Sequence, residues 1–108
     1  AVMDAVLGAA ALGDIGQHFP DTAEEYAGAD SLMLARRVAE IMTEHGWRIE
    51  NIDATILCQR PKLAPHIPAM RAKLVDCVSV KATTEEHLGF TGEGLGIAAH
   101  AVALIEAV

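Results

Sequence analysis

The sequence predicts an α/β fold in which helices lie on one face of a small sheet. Two runs, residues 49–59 and 78–80, alternate apolar and polar side chains with the period of two that a half-buried strand requires. The other periodic runs space their apolar residues for a helix, and each strand-like run is followed by a helical one. That order favours a layer of strands with helices packed against it. No internal repeat or low-complexity tract interrupts the pattern, and 108 residues suffice for one domain with one core.

Residues 1–12 have helical spacing, with Val2, Val6 and Ala9 on one stripe and Met3, Leu7 and Ala10 on the next. No capping residue precedes them, so residues of the fold are expected upstream of Ala1. Gly13, Asp14, Gly16, Pro20 and Asp21 then break the pattern into a loop that runs to Asp30. It reads either as a connector or, being longer than a connector needs, as a functional loop. Asp30 caps the next helix and Gly46 closes it. Leu34, Val38, Ile41 and His45 are expected to face inward, with Arg36, Arg37, Glu40 and Glu44 on a solvated face.

In the first strand Ile52, Ala54, Ile56 and Cys58 share the apolar face, and Pro61 and Pro65 stop it. Pro68 starts a short helix through Ala69, Met70 and Leu74. From Ala69 to Val80 there is no glycine, proline or asparagine to make a turn. Either Asp76 and Cys77 form a cramped connection or residues are missing near 75–78. Residues 94–108 are apolar almost all round and predict a buried last helix.

Fifteen acids against eight bases give a formal charge of −7, which argues against nucleic acid or an anionic membrane as the main partner. No apolar run approaches the ~20 residues of a membrane span, and the start has no basic region of a signal peptide. Two cysteines, Cys58 and Cys77, suit a reducing compartment, though counting alone leaves one disulfide open. Aromatic residues are scarce and alanine abundant, so part of the apolar surface is expected to pack against other subunits.

Residues 78–86, Val-Ser-Val-Lys-Ala-Thr-Thr-Glu-Glu, concentrate the chemistry at a strand end, where α/β proteins place it. Lys81 offers a cation, Thr83 and Thr84 offer hydrogen bonds to phosphate, and Glu85 or Glu86 a carboxylate for a divalent ion. The competing reading is a helix start, with a threonine cap and Glu86 in the first turn. Arg60 and Lys62 beside the first strand's end are either phosphate contacts or an ordinary charged loop. The five histidines form no close metal pair, the cysteines no CxxC, and no nucleophile–base pair or dinucleotide fingerprint is present.

Four segments, in order, resemble one family. They are DAVLGAAALGDIG at 4–16, FPDT at 19–22, CQRPKL at 58–63, and VKATTEE at 80–86 followed by Gly89 and Phe90. Together they are similar to the 2-C-methyl-D-erythritol 2,4-cyclodiphosphate synthases of non-mevalonate isoprenoid biosynthesis. The resemblance implies a mixed, ferredoxin-like α+β sandwich assembling as a homotrimer, with an active site at each subunit interface. The implied reaction cyclises 4-diphosphocytidyl-2-C-methyl-D-erythritol 2-phosphate and releases CMP. The implied location is the bacterial cytoplasm, or the plastid in a plant or alga.

The resemblance also implies roles. Asp14 and Gly16 bind the cytidine ribose. Phe19, Pro20, Asp21 and Thr22 form a mobile loop over the methylerythritol, with Asp21 on its hydroxyls. Cys58, Gln59, Arg60, Pro61, Lys62, Leu63 and Ala64 line the cytosine pocket, largely through backbone groups. Thr83 and Thr84 hold the diphosphate, Thr84 stabilising the transition state. Glu85 adjoins the substrate, Glu86 helps hold Mg²⁺ or Mn²⁺ on the phosphates, and Phe90 contacts the substrate. The family's Zn²⁺ ligands and a second histidine are expected upstream of Ala1, so a chain starting at Ala1 is expected not to turn over. Glu93 stands where many members carry an arginine, and that phosphate contact is not carried over. The alternatives are a non-catalytic trimeric module of the same fold, binding a nucleotide or an apolar ligand, and a monomeric structural fragment.

Overall fold

A computed structural model describes residues 1–20, 30–72 and 78–108. The elements are α1 (Val2–Ala9), α2 (Ile15–His18), α3 (Ser31–Glu44), β1 (Trp47–Leu57), α4 (Ile67–Ala72), β2 (Val78–Thr83), α5 (Gly89–Gly92) and β3 (Ala98–Ala107). A 3₁₀ turn, Ala64–His66, leads into α4. The sheet is mixed, in the order β2-β1-β3, with β2 parallel and β3 antiparallel to β1. Helices α1 and α3 cover one face, as the sequence predicts. No described helix is long and apolar enough to cross a membrane.

Helix α1 stops at Ala9 rather than Leu12. The Leu12 amide donates to Leu7 O at 2.9 Å and the Ala11 amide to Gly8 O at 3.0 Å, the paired bonds of a Schellman stop. That stop puts Ala11 at φ +57°, a conformation glycine adopts without cost. Helix α3 begins and ends where the sequence places it. Asp30 Oδ1 accepts the Leu32 amide at 3.0 Å, and Gly46 follows the helix at φ +80°. Val38, Ile41 and Met42 are its buried residues. His45 is a correction: it is exposed at the C-cap, its Nδ1 2.8 Å from Ile41 O, and Met42 takes the inward place. On the solvated face, Arg37 donates to Glu40 and Glu44 at 3.1 Å, and the hydrogen bond to Glu44, followed by that to Glu40, raises its pKa.

The core forms where Val6 and Leu7 of α1 and Val38, Ile41 and Met42 of α3 meet Ile52 of β1, Val78 of β2 and Phe19. Leu7 and Met42 are its most fully buried large side chains. β1 spans 47–57 rather than 49–59, with an irregularity in its pairing to β3 between Ile49 and Asn51. The Val108 amide reaches back to Gly46 O at 2.8 Å and ties the chain's end to the start of β1. The proposed connection through Asp76 and Cys77, and Leu74 of the short helix, lie outside the described residues.

The largest correction is at the C-terminus. The segment read as a buried helix is β3, paired with β1 along its whole length. Ala103 and Ile105 pack against the core, while Val102 (74% exposed) and Leu104 (64%) stand on the open face. With large apolar residues on both faces and His100 and Glu106 its only polar ones, the strand shows no clear period of two, so it mimics a mostly apolar helix, and its alanines favour helix locally. Pairing with β1 overrides that local preference.

Leu7→Ala is expected to cost about 2–5 kcal/mol in denaturant unfolding, because it opens a cavity at the best-packed position. Ala11→Gly is expected to stabilise the fold by up to about 1 kcal/mol in the same assay, by relieving the left-handed alanine.

Candidate active site

Parallel pairing places the C-terminal ends of β1 and β2 side by side. The last rung pairs Leu57 with Thr83, and the Cys58 amide then donates to Thr83 O at 3.0 Å. Two loops therefore leave the sheet from one point. Beyond β1 the chain folds around the buried, free thiol of Cys58, whose Sγ lies 3.2 Å from Arg60 O and 3.5 Å from Pro61 O. This turns Arg60, Pro61, Lys62 and Ala64 to solvent and leaves Gln59 and Leu63 half-buried. A terminal nitrogen of Arg60 comes within 3.8 Å of where a side chain on Gly94 would begin.

Beyond β2 the chain makes a tight turn instead of the helix start that a threonine cap would give. Thr84 Oγ1 accepts the Glu86 amide at 3.3 Å, and the Leu88 amide donates to Glu85 O at 3.0 Å. Glu86 and His87 both sit in the left-handed region, at φ +53° and +66°. Such conformations cost a non-glycine residue roughly 1–3 kcal/mol each and cluster at functional sites. Two contacts hold the turn. The His87 amide donates to Gln59 Oε1 at 3.2 Å, across to the β1 loop. Gly92, at the end of α5, lets the His87 backbone approach: a Cβ there would lie 2.6 Å from His87 C. The carboxylates of Glu85 and Glu86 are left exposed.

Phe90 is 58% exposed in α5 and lies beside Gly96, where a Cβ would meet its ring at 3.1 Å. Lys81, read as a cation for this site, is instead bound to Asp53 at 2.5 Å across the open face of the sheet. Both groups are about half exposed, so the pair contributes little, under about 1 kcal/mol. The Asp53 pairing, the Gln59 bridge and the seat at Gly92 are absent from the sequence reading. Only the glycine spacing, Gly89 to Gly92, hints at one of them.

The other predicted residues lie elsewhere in the chain. Asp14 caps α2, its Oδ1 accepting the Gln17 amide at 2.9 Å, and Asp4 Oδ1 accepts the Ile15 amide at 2.9 Å. Gly16 lies close over the cap, where a Cβ would come within 3.3 Å of Asp14 Oδ1. Phe19 is buried in the core, and Pro20 is exposed after it. Asp21 and Thr22 lie outside the described residues. Among the described residues no hydrogen bond or ion pair joins Asp14 or Gly16 to the strand-end loops. An apolar cavity of about 290 Å³ between α1, α3 and the sheet, lined by Met3, Val6, Val38, Ile52 and Val78, shares no residue with those loops.

The strand end thus offers backbone groups and two cations on one side, and hydroxyls and exposed carboxylates on the other. That donor set of hard oxygens suits a Mg²⁺-like ion held mainly by phosphate and water. Among the described residues no group of three or more His, Cys, Asp or Glu side chains is placed to hold a metal. The described residues therefore do not by themselves fit a zinc centre.

The profile of the YgbB family matches residues 1–106. The 2-C-methyl-D-erythritol 2,4-cyclodiphosphate synthase of Thioalkalivibrio sulfidiphilus is 64% identical over 98% of this chain and 71% of its own length. Among solved structures, the bifunctional IspDF from Campylobacter jejuni superposes with a TM-score of 0.92 at 36% identity, over 99% of this chain and 31% of that one. A 2C-methyl-D-erythritol-2,4-cyclodiphosphate synthase in its CDP-bound form gives 0.83 at 30% identity, over 98% of this chain and 73% of that one.

Two glycine substitutions should move stability in opposite directions in thermal unfolding. Gly92→Ala drives a methyl into the His87 backbone and is expected to cost about 1–3 kcal/mol. Gly8→Ala meets nothing within 4 Å and is expected to gain about 0.5–1 kcal/mol.

Proposed function

We propose a function from one premise: the chain belongs to the YgbB family. It catalyses the cyclisation of 4-diphosphocytidyl-2-C-methyl-D-erythritol 2-phosphate to 2-C-methyl-D-erythritol 2,4-cyclodiphosphate, in non-mevalonate isoprenoid biosynthesis. An oxygen of the 2-phosphate attacks the β-phosphorus, and the bond from that phosphorus to the oxygen bridging the two phosphates breaks. CMP leaves with the bridging oxygen and its electron pair. The nucleophile belongs to the substrate, so the protein's work is to position two phosphates and balance charge.

The observation that carries this reading is the pairing of two loops at one strand end, in a chain so similar to a synthase of this name. By the family resemblance, the loop of residues 58–64 would meet the cytosine edge largely through backbone groups. Thr84 already accepts the Glu86 amide, which leaves its own hydroxyl proton to donate to a phosphate oxygen. Thr83 is exposed beside it, and Phe90 offers an exposed ring. Asp14 and Gly16 for the ribose, and the segment from Pro20 to Thr22 over the methylerythritol, complete the reading, with Phe19 anchoring that segment in the core.

Glu86 would hold Mg²⁺ or Mn²⁺ together with substrate oxygens, and Glu85 adds a second carboxylate nearby. Such an ion, when bound, neutralises charge on the phosphates. Zn²⁺ belongs to the reading only through the family resemblance, and no step is derived through it. We read the active form as a homotrimer with a site at each interface. Support comes from Val102 and Leu104 exposed on the open sheet face, with Leu95 and Ile97 exposed just before β3. That no hydrogen bond or ion pair among the described residues joins Asp14 to the strand-end loops also fits a site shared between subunits. Bacterial relatives support a cytoplasmic location, and the charge of −7 speaks against nucleic acid and anionic membranes as partners.

Calorimetry with CMP, with and without Mg²⁺, tests the reading. Cytidine-selective binding is expected, weakened about 10- to 100-fold by Thr84→Ala, the usual range for a hydrogen bond to a charged group. Pro61→Ala is expected to weaken it too. Binding without nucleotide preference would instead mark a non-catalytic module.

A further inference from the structure

We infer that Gln59 is a positioning residue that makes the phosphate-binding half of the site depend on the nucleobase loop, an inference that rests on the function proposed above. Among the described residues, its side chain links the far part of the β2 turn to the β1 loop: Gln59 Oε1 accepts the His87 amide at 3.2 Å, although the two residues are 28 apart in sequence. The bond is made at a particular place. Among the described residues, His87 and its predecessor Glu86 are the two consecutive non-glycine residues at positive φ, and Glu86 is the proposed metal-holding carboxylate.

Without an acceptor for the His87 amide, the turn keeps its backbone strain and the Cys58–Thr83 bond at its base but loses the tie at its far side, where the positive-φ residues stand. The remaining bonds, Glu86 amide to Thr84 Oγ1 and Leu88 amide to Glu85 O, are internal to the turn. They preserve its local shape but not its placement against the β1 loop. Gly92 sets how closely the His87 backbone approaches α5, but a contact with no side chain exerts no pull toward residues 58–64. Gln59 itself is half-buried, and its neighbour Cys58 is fixed by the Thr83 carbonyl and by its own loop. The amide side chain therefore projects from a fixed base, so that order in the nucleobase loop is passed to the Glu86–His87 side of the turn through this bond. Thr84 and Glu86 act on phosphate, whereas Gln59 acts through His87.

Two measurements on the same chain test this. In amide hydrogen exchange followed by NMR, Gln59→Met, which keeps the length but removes the acceptor, is expected to speed exchange at His87 about 10-fold or more. Gln59→Glu, whose carboxylate can still accept, is expected to restore protection. In calorimetry, the affinity gained on going from cytidine to CDP is expected to shrink about 10-fold in Gln59→Met. An unchanged His87 rate overturns the inference. So does faster exchange spread evenly over the chain, which would make Gln59 a contributor to global stability only. A wild-type chain that gains affinity from cytidine to CDP, with the same gain in Gln59→Met, overturns the inference alone. A wild-type chain that binds CDP no better than cytidine removes the proposed function, and this inference with it.

Discussion

The last rung of the parallel ladder, Leu57 against Thr83 with the Cys58 amide on Thr83 O, fixes where the two strand-end loops can stand. Strands that run parallel finish on the same side, so the loops beyond them meet without any further device. A shift of one residue in that register would turn Thr83 from the open face toward the helices and carry the Thr84–Glu86 turn away from Gln59. The register is held by burial. Val78 and Ile52 are paired partners, both 2% exposed, and both lie in the core with Leu7 and Met42. Core packing and site geometry are thus one constraint seen from two ends of the strands.

Much of the fold was legible because its signals are local. Asp30 and Gly46 bracket α3 by side-chain capping and by the left-handed conformation of glycine, both carried by single residues. The alternation of Ile52, Ala54 and Cys58 marks the buried face of β1. β3 was not legible, since apolar residues occupy both of its faces and its alanines suit a helix as well as a strand. Its identity comes from the backbone groups of β1, which only the assembled sheet supplies.

The site divides in the same way. The hydroxyls and carboxylates at 83–86 are visible as a cluster in the sequence, and the ordered motifs around them carry the resemblance to a known family. What cannot be read is their pairing. Lys81 looks free until the cross-strand neighbour Asp53 is placed beside it, and Thr84 looks like a helix cap until Glu86 and His87 adopt positive φ. Gln59 and His87 carry no mark of their partnership, because a contact over that separation is a product of register rather than of composition. Glu93 is exposed, one residue before the Gly94 that Arg60 approaches.

A crystal structure of the chain with CDP and Mg²⁺ tests most directly whether the end of β1 and β2 is the substrate site. The cytosine is expected within the loop of residues 58–64, with diphosphate oxygens in hydrogen-bond reach of Thr84 Oγ1 and the metal beside Glu86. Nucleotide bound elsewhere, such as in the apolar cavity between α1 and α3 or on the open sheet face away from Thr84, would contradict it.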